Sequence, residues 1–380
     1  MKKFITAFDS FKGTMSAVDA CEQASGGIRA VFPQAQVVTV PIADGGEGTA
    51  DAFRHCLPGE EILEIVTSAV FAPIHARYTV MKDGKAIIEV ASAAGLPQAV
   101  ASGIPLNPMN TTTYGVGELI RGSLKHGCRE LILGLGGSAT NDGGVGILSA
   151  LGARFFDGSG KKIRPTGGGL EKLARIDLSG LDPRLKECKI TLACDVDNPL
   201  CGPEGASAVF GPQKGATPEQ VKALDENLLR FAGLIEAAGG RDVLSLKGGG
   251  AAGGIAAGLF GFLDVELKSG IDLLFETIGF ETLLRGADLV FTGEGKMDLQ
   301  SARGKAPAGV GKWAKAAGVP VVAVVGDVGD GYEAILDFGV KAVFSINHLA
   351  KPYPEIKARA YQDLKDTVEN ICRLLAAEGF

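Results

Sequence analysis

The strongest constraint on this chain is a set of short apolar runs that do not alternate with polar residues. The segments 4–8, 36–42, 131–135, 189–193, 288–292, 319–325 and 341–346 are rich in Val, Ile and Leu. A strand with one wet face alternates; a strand covered on both faces has no need to. These runs therefore predict parallel strands with helices on both sides of the sheet. Helical patterns lie between them. Ser16 with Asp19 can open a helix that ends near Pro33. Thr217-Pro218-Glu219-Gln220 supplies a capping hydroxyl, a proline at the first helical position and a glutamine three residues after the cap. Val221, Leu224, Leu228, Phe231 and Ile235 follow at helical spacing, and Gly239-Gly240 stops the pattern. A further amphipathic helix is expected over 354–377.

At 380 residues the chain is long enough for two domains. Both ends alternate strand and helix. The middle contains two runs, 77–81 and 86–90, joined by Asp83-Gly84, which predict a hairpin. A hairpin does not belong in a purely parallel sheet. The expected fold class is therefore α/β with two domains: a parallel-sheet domain from 1–70 and 287–380, and an inserted mixed α/β domain over 71–286.

The net charge is −6, and no Lys/Arg cluster with interleaved aromatics occurs, so nucleic acid is not an expected partner. Seven cysteines without a CxxC predict reduced thiols rather than disulfides or zinc. The N-terminus reaches Asp9 too soon for a signal peptide, and no apolar run reaches membrane-spanning length. A cytoplasmic protein is expected; the oligomeric state is not legible.

One chemical pattern recurs. A strand-like run ends, and a carboxylate follows in a glycine-rich or polar turn: Asp9 after FITAF, Asp44 in DGGEG, Asp195 in DVDNP, Glu294 in GEGKMD with Asp298 beyond it, and Asp327 after VVAVVG. Ligands of open α/β sheets sit beyond the carboxyl ends of the strands. Any one carboxylate there can be a turn residue or a helix cap. A set of them repels itself unless a cation intervenes, and hard oxygen ligands suit Mg²⁺. Lysines occupy similar turns, notably Lys12 and Lys214, and a lysine is a mobile charge suited to phosphate.

The segment LGLGGSATNDGGVG (133–146) holds six glycines and little that could pack. Its backbone N–H groups, with Ser138, Thr140 and Asn141, suit a phosphorylated ligand. A second possibility is a dinucleotide fingerprint. Gly134, Gly136 and Ala139 fit G-x-G-x-x-A with Asp157 downstream, and the glycines at 248–253 fit G-x-G-x-x-G. A NAD-dependent oxidoreductase of a small hydroxy acid is the alternative expectation. Neither the Walker pattern nor G-x-S-x-G occurs, and the four histidines lack metal-ligand spacing.

DSFKGTMSA, PIADGGEGT, TTTYGVGELI, GGSATNDGG, CDVDNPLCGPEGASAVFGPQKGAT, ELKSGID and TGEGKMD resemble, in that order, the motifs of the bacterial glycerate kinase type 1 family. Three departures stand out: Phe8 where the family has Pro, Ala94 where Ser is common, and Ser301 where Thr is usual. The resemblance implies ATP-dependent phosphorylation of D-glycerate to 2-phosphoglycerate or 3-phosphoglycerate. It also implies a flavodoxin-like domain made from both chain ends and an inserted domain likened to restriction endonucleases. On this footing Asp195, oriented by Asp197-Asn198, is the expected base, with Lys12 beside the reacting groups. Asp9, Ser10, Thr112, Gly136, Gly137, Ser138, Asn141, Asp142 and Lys214 are expected to bind substrate or phosphate. Asp44, Glu294 and Asp298 are expected to hold Mg²⁺.

Overall fold

The computed structural model describes residues 1–380 except positions 44, 47, 303–305 and 350. The chain divides into two compact units. The first comprises Met1–Asp44, Asp51–Leu57 and Ser269–Phe380; the second comprises Gly45–Ala50 and Pro58–Lys268. These limits differ from those expected at 71 and 286. A strand at Gly59–Thr67 belongs with the second unit and a helix at Gly270–Ile278 with the first.

In chain order the strands of the two larger sheets are β1 (Lys3–Phe8), β2 (Gln36–Thr39), β3 (Gly59–Thr67), β4 (Pro73–Met81), β5 (Lys85–Glu89), β6 (Glu130–Gly134), β7 (Lys189–Ala193), β8 (Val265–Lys268), β9 (Leu289–Gly293), β10 (Val321–Val325) and β11 (Val340–Ser345). The fold is mixed α/β with parallel sheets. In the first unit a five-stranded sheet runs β2-β1-β9-β10-β11, all parallel. Counted within the unit, that order is 2-1-3-4-5.

The missing alternation has a direct cause. Phe4, Phe8, Phe291 and Val324 join one buried cluster with Ala20, Ile28, Leu364 and Val368 from the helices Ala17–Val31 and Ala360–Ala377. Ile5, Ala7, Val290 and Ala323, one position off and so on the opposite face, are buried too. The Ser16–Asp19 capping box forms, with Asp19 N–H donating to Ser16 Oγ at 3.1 Å. The Thr217–Gln220 box forms likewise. The segment expected as one helix over 354–377 is divided: a short helix Tyr353–Ile356, a 3₁₀ turn Lys357–Arg359, then Ala360–Ala377.

The second unit's six-stranded sheet keeps chain order from β3 to β8. The pairs β3–β4 and β4–β5 are antiparallel; the rest are parallel. The hairpin turns through Asp83-Gly84, with Gly84 at φ 87°. Thus one side of this sheet opens as a meander and the other presents parallel strand ends.

Candidate functional site

The first unit gathers its charges at the carboxyl ends of β1, β9, β10 and β11. Asp9 and Ser10 follow β1; Asp9 N–H bonds to Gly293 O at 2.9 Å, and Asp9 Oδ1 accepts from Ser10 N–H at 2.6 Å. Glu294 leaves β9, Asp327 follows β10, and Ile346-Asn347 follow β11. Together with Lys12, Lys296, Asp298 and the 351–363 segment they line a cleft of about 600 Å³. Asp9, Ser10, Lys12, Glu294 and Asp298 therefore share one cavity. Lys296 stands in one of the lysine-bearing turns but reads as a surface lysine; Lys351, Tyr353 and Lys357 were not singled out, because single lysines and tyrosines in polar loops carry no pattern. Asp298 Oδ1 also accepts from Gln300 N–H, and Asp298 N–H donates to Ser301 Oγ. Ser301 thus provides the hydroxyl that threonine would. Asp44 lies outside the described residues. Among the described residues, no three His, Cys, Asp or Glu side chains stand close enough to hold a metal unaided.

The glycine-rich segment behaves differently from expectation. It wraps around a second glycine-rich segment. Gly143 N–H donates to Gly253 O at 3.0 Å, and a Cβ on Gly258 would lie 1.9 Å from Gly143 O. Only Gly136 and Gly137 of this segment reach the surface; 138–146 is buried. Its N–H groups are largely committed: Leu135 to Ala193 O, Gly136 to Gly45 O and Ala139 to Ala94 O. Asp142 is fully buried and accepts from Thr113 N–H and Oγ1 and from the N–H groups of Gly144 and Gly146. Burial pushes its carboxyl above the usual range, and those donors pull the other way. Asn141 donates to Ser207 Oγ at 2.8 Å, and Thr112 Oγ1 accepts from Tyr114 N–H. Asn141, Asp142 and Thr112 are thus engaged within the fold, as backbone packed this tightly needs internal acceptors and donors, while Asn141 Oδ1 and Thr140 Oγ1 are buried without a hydrogen-bond partner among the described residues. All three hydroxyls of 111–113 are turned into protein, since Thr111 donates to Ala139 O and Thr113 to Asp142.

Lys214 is buried behind this turn. Its ammonium donates to Ser138 Oγ at 3.0 Å and Thr140 O at 2.6 Å. Burial pushes its pKa down to about 7, against a smaller upward pull from Asp142. The unfolded value is about 10.4. Between those values the unfolded chain holds the proton and the folded chain does not, so Lys214's share of stability grows as pH rises through the window. We expect the melting temperature of the wild type, relative to Lys214→Met, to rise from pH 7 to pH 9. A flat or falling difference contradicts the burial effect.

Asp195 is exposed two residues past β7. The register pairs Gly134 of β6 with Ala193 of β7 and Ala193 with Lys268 of β8. The Gly136–Ser138 turn, Asp195 and Lys268 therefore emerge from adjacent parallel strands. Asp197 pairs with Lys247 at 3.0 Å, and Asn198 donates to Glu204 O.

Neither glycine pattern forms a dinucleotide fingerprint, in which strand passes directly into helix. The helix after β6 starts only at Val145, well past Ala139, and the 248–250 turn follows a loop rather than a strand. Asp157 is at the end of a short separate strand, Arg154–Asp157, occupied with Ser159 and Lys161. The seven cysteines are free thiols. No helix among the described residues is long and apolar enough to cross a membrane.

The fold and site define an α/β protein with acid- and lysine-bearing turns at the carboxyl edges of parallel sheets, and not a Rossmann oxidoreductase. Residues 4–376 match the glycerate kinase family. The glycerate kinase of Bacillus subtilis (strain 168) is 45% identical over 97% of this chain and 96% of its own length. The glycerate 2-kinase of Escherichia coli (strain K12) is 43% identical over 98% of both. A crystal structure assigned as glycerate kinase 2 from Salmonella typhimurium LT2 superposes with a TM-score of 0.88 at 42% identity, over 100% of this chain and 99% of that one. The chain belongs to the glycerate kinase family.

Proposed function

We propose that this chain is an ATP-dependent glycerate kinase: it transfers the γ-phosphoryl group of ATP to a hydroxyl of D-glycerate, giving ADP and 2-phosphoglycerate or 3-phosphoglycerate. The observation that carries this is kinship over nearly the whole chain with proteins named glycerate kinases. The name of the E. coli relative favours the 2-hydroxyl. The strand order 2-1-3-4-5 supports a flavodoxin-like reading of the first unit, and the mixed sheet of the second is compatible with the restriction-endonuclease comparison.

Phosphoryl transfer demands positioning and charge neutralisation rather than covalent chemistry by the protein. The hydroxyl oxygen bonds to the γ-phosphorus, the bond to the bridging oxygen of ADP breaks, and the hydroxyl proton leaves. Asp195, at a strand end beside the Gly136–Ser138 turn, is assigned to take that proton. Lys12 is assigned to the transferring phosphoryl group or the glycerate carboxylate. Lys214 acts from inside: as the ammonium it donates to Ser138 Oγ, which leaves the serine's own proton to be given elsewhere. The donor chemistry of the first-unit cleft fits Mg²⁺, which is normally bound through one or two carboxylates plus phosphate oxygens and water. Glu294 and Asp298, with Asp44, would hold it, and it would offset the phosphate charge. The test is ADP release with Mg-ATP and D-glycerate together, against either alone. Release that does not depend on D-glycerate rejects the assignment.

A further inference from the structure

The first-unit cleft is lined by two kinds of side chain: charged ones, among them Lys12, Glu294 and Asp298, and apolar ones, Phe11, Ile346, Tyr353, Ile356 and Ala360. We infer that the cleft is the nucleotide site: the adenine and ribose of ATP lie against the apolar residues, with the phosphates directed to the charged ones. This rests on the kinase reading above and deepens it.

Three features carry the assignment. The first is size. A cleft of about 600 Å³ is within the range of nucleotide-sized ligands, and it far exceeds what a three-carbon acid can fill. The second is chemistry. D-glycerate presents hydroxyls and a carboxylate around its whole surface and has nothing to offer five apolar side chains. Adenine has two flat apolar faces. The third is position. The cleft lies beyond the carboxyl ends of β1 and β9, between which the strand order 2-1-3-4-5 reverses direction, and ligands of open α/β sheets bind at that point.

Tyr353 is the residue best placed to act on the base. It is 53% exposed, so its ring is not committed to the core. Its hydroxyl is 2.5 Å from Thr14 Oγ1, which ties the 353–356 helix to the turn after β1. Lys351 and Lys357 line the same cleft.

The test uses the intact chain. Binding of the non-hydrolysable analogue AMP-PNP, with Mg²⁺ and without glycerate, is measured by calorimetry for the wild type and Tyr353→Ala. Base–aromatic stacking is worth about 1–3 kcal/mol per base. For a half-exposed ring we expect the lower end, about a fivefold rise in Kd, with the KM for D-glycerate unchanged within twofold. A raised KM for D-glycerate with unchanged AMP-PNP binding would make the cleft the acid site and overturn the inference while leaving the kinase reading intact. A wild type that binds AMP-PNP but never turns over D-glycerate would instead sink the kinase reading alone. A second measurement needs no variant: photolabelling of the wild type with 8-azido-ATP, followed by peptide mapping. Label within 346–360 or 10–15 supports the site; label confined to 134–146 or 205–215 rejects it.

Discussion

Replacing Asp195 by Asn is expected to lower kcat by ~10²–10⁴-fold at saturating ATP and D-glycerate, the usual contribution of a general base. The change is nearly isosteric; it removes the negative charge and with it the capacity to take a proton. It should leave the fold intact. The Asp195 side chain is exposed, and the backbone around it is fixed by its neighbours: Cys194 N–H on Lys268 O, Asp197 on Lys247, Asn198 on Glu204 O. Melting temperature should therefore stay within experimental scatter while turnover collapses, and both KM values should move little. A loss below tenfold, or a matching fall in stability, would take Asp195 out of the role of base.

The second large effect is on the fold that presents the site. Gly258→Ala should destabilise the protein by about 3 kcal/mol, the upper end for overpacking. The new methyl carbon would stand 1.9 Å from Gly143 O, a backbone atom that cannot rotate away. Gly143 is itself held by its N–H bond to Gly253 O and by a left-handed φ of 62°. The strain passes along the loop to Ser138, so turnover should fall too. The control is Gly233→Ala, in the helix Pro218–Ala237, where an added Cβ meets nothing within 4 Å. There alanine restricts the unfolded chain and should stabilise by ~0.5–1 kcal/mol. Denaturant midpoints read both. If the two variants behaved alike, backbone-to-backbone packing would not be what holds the glycine segments together.

The sequence made the parallel strands legible because burial on both faces removes alternation, as Phe4 and Ile5 show on opposite sides of β1. Both capping boxes were readable because three or four adjacent residues suffice to make them. The strand β3 was overlooked because Glu60-Glu61-Ile62-Leu63-Glu64-Ile65-Val66 does not alternate polar and apolar residues; its signal is its pairing with β4, which is a relation between distant residues. The site divides the same way. Carboxylates that follow strands, Asp9 and Glu294, fell into one cleft because the sheet aligns the ends of its strands. Thr112, Asn141 and Asp142 make hydrogen bonds within the fold that the sequence does not reveal, because a loop rich in glycine and polar groups looks the same whether it cradles a ligand or another loop. Its partner, 248–258, is over a hundred residues away, and nothing local announces the contact.

The most direct measurement is phosphorus NMR of the wild type incubated with Mg-ATP and D-glycerate. The account predicts that the γ-phosphate resonance of ATP gives way to a phosphomonoester of glycerate, with the 2-phosphoglycerate signal favoured, in equal amount to the ADP formed. Conversion of the γ-phosphate to inorganic phosphate alone, or an unchanged ATP spectrum, would contradict it.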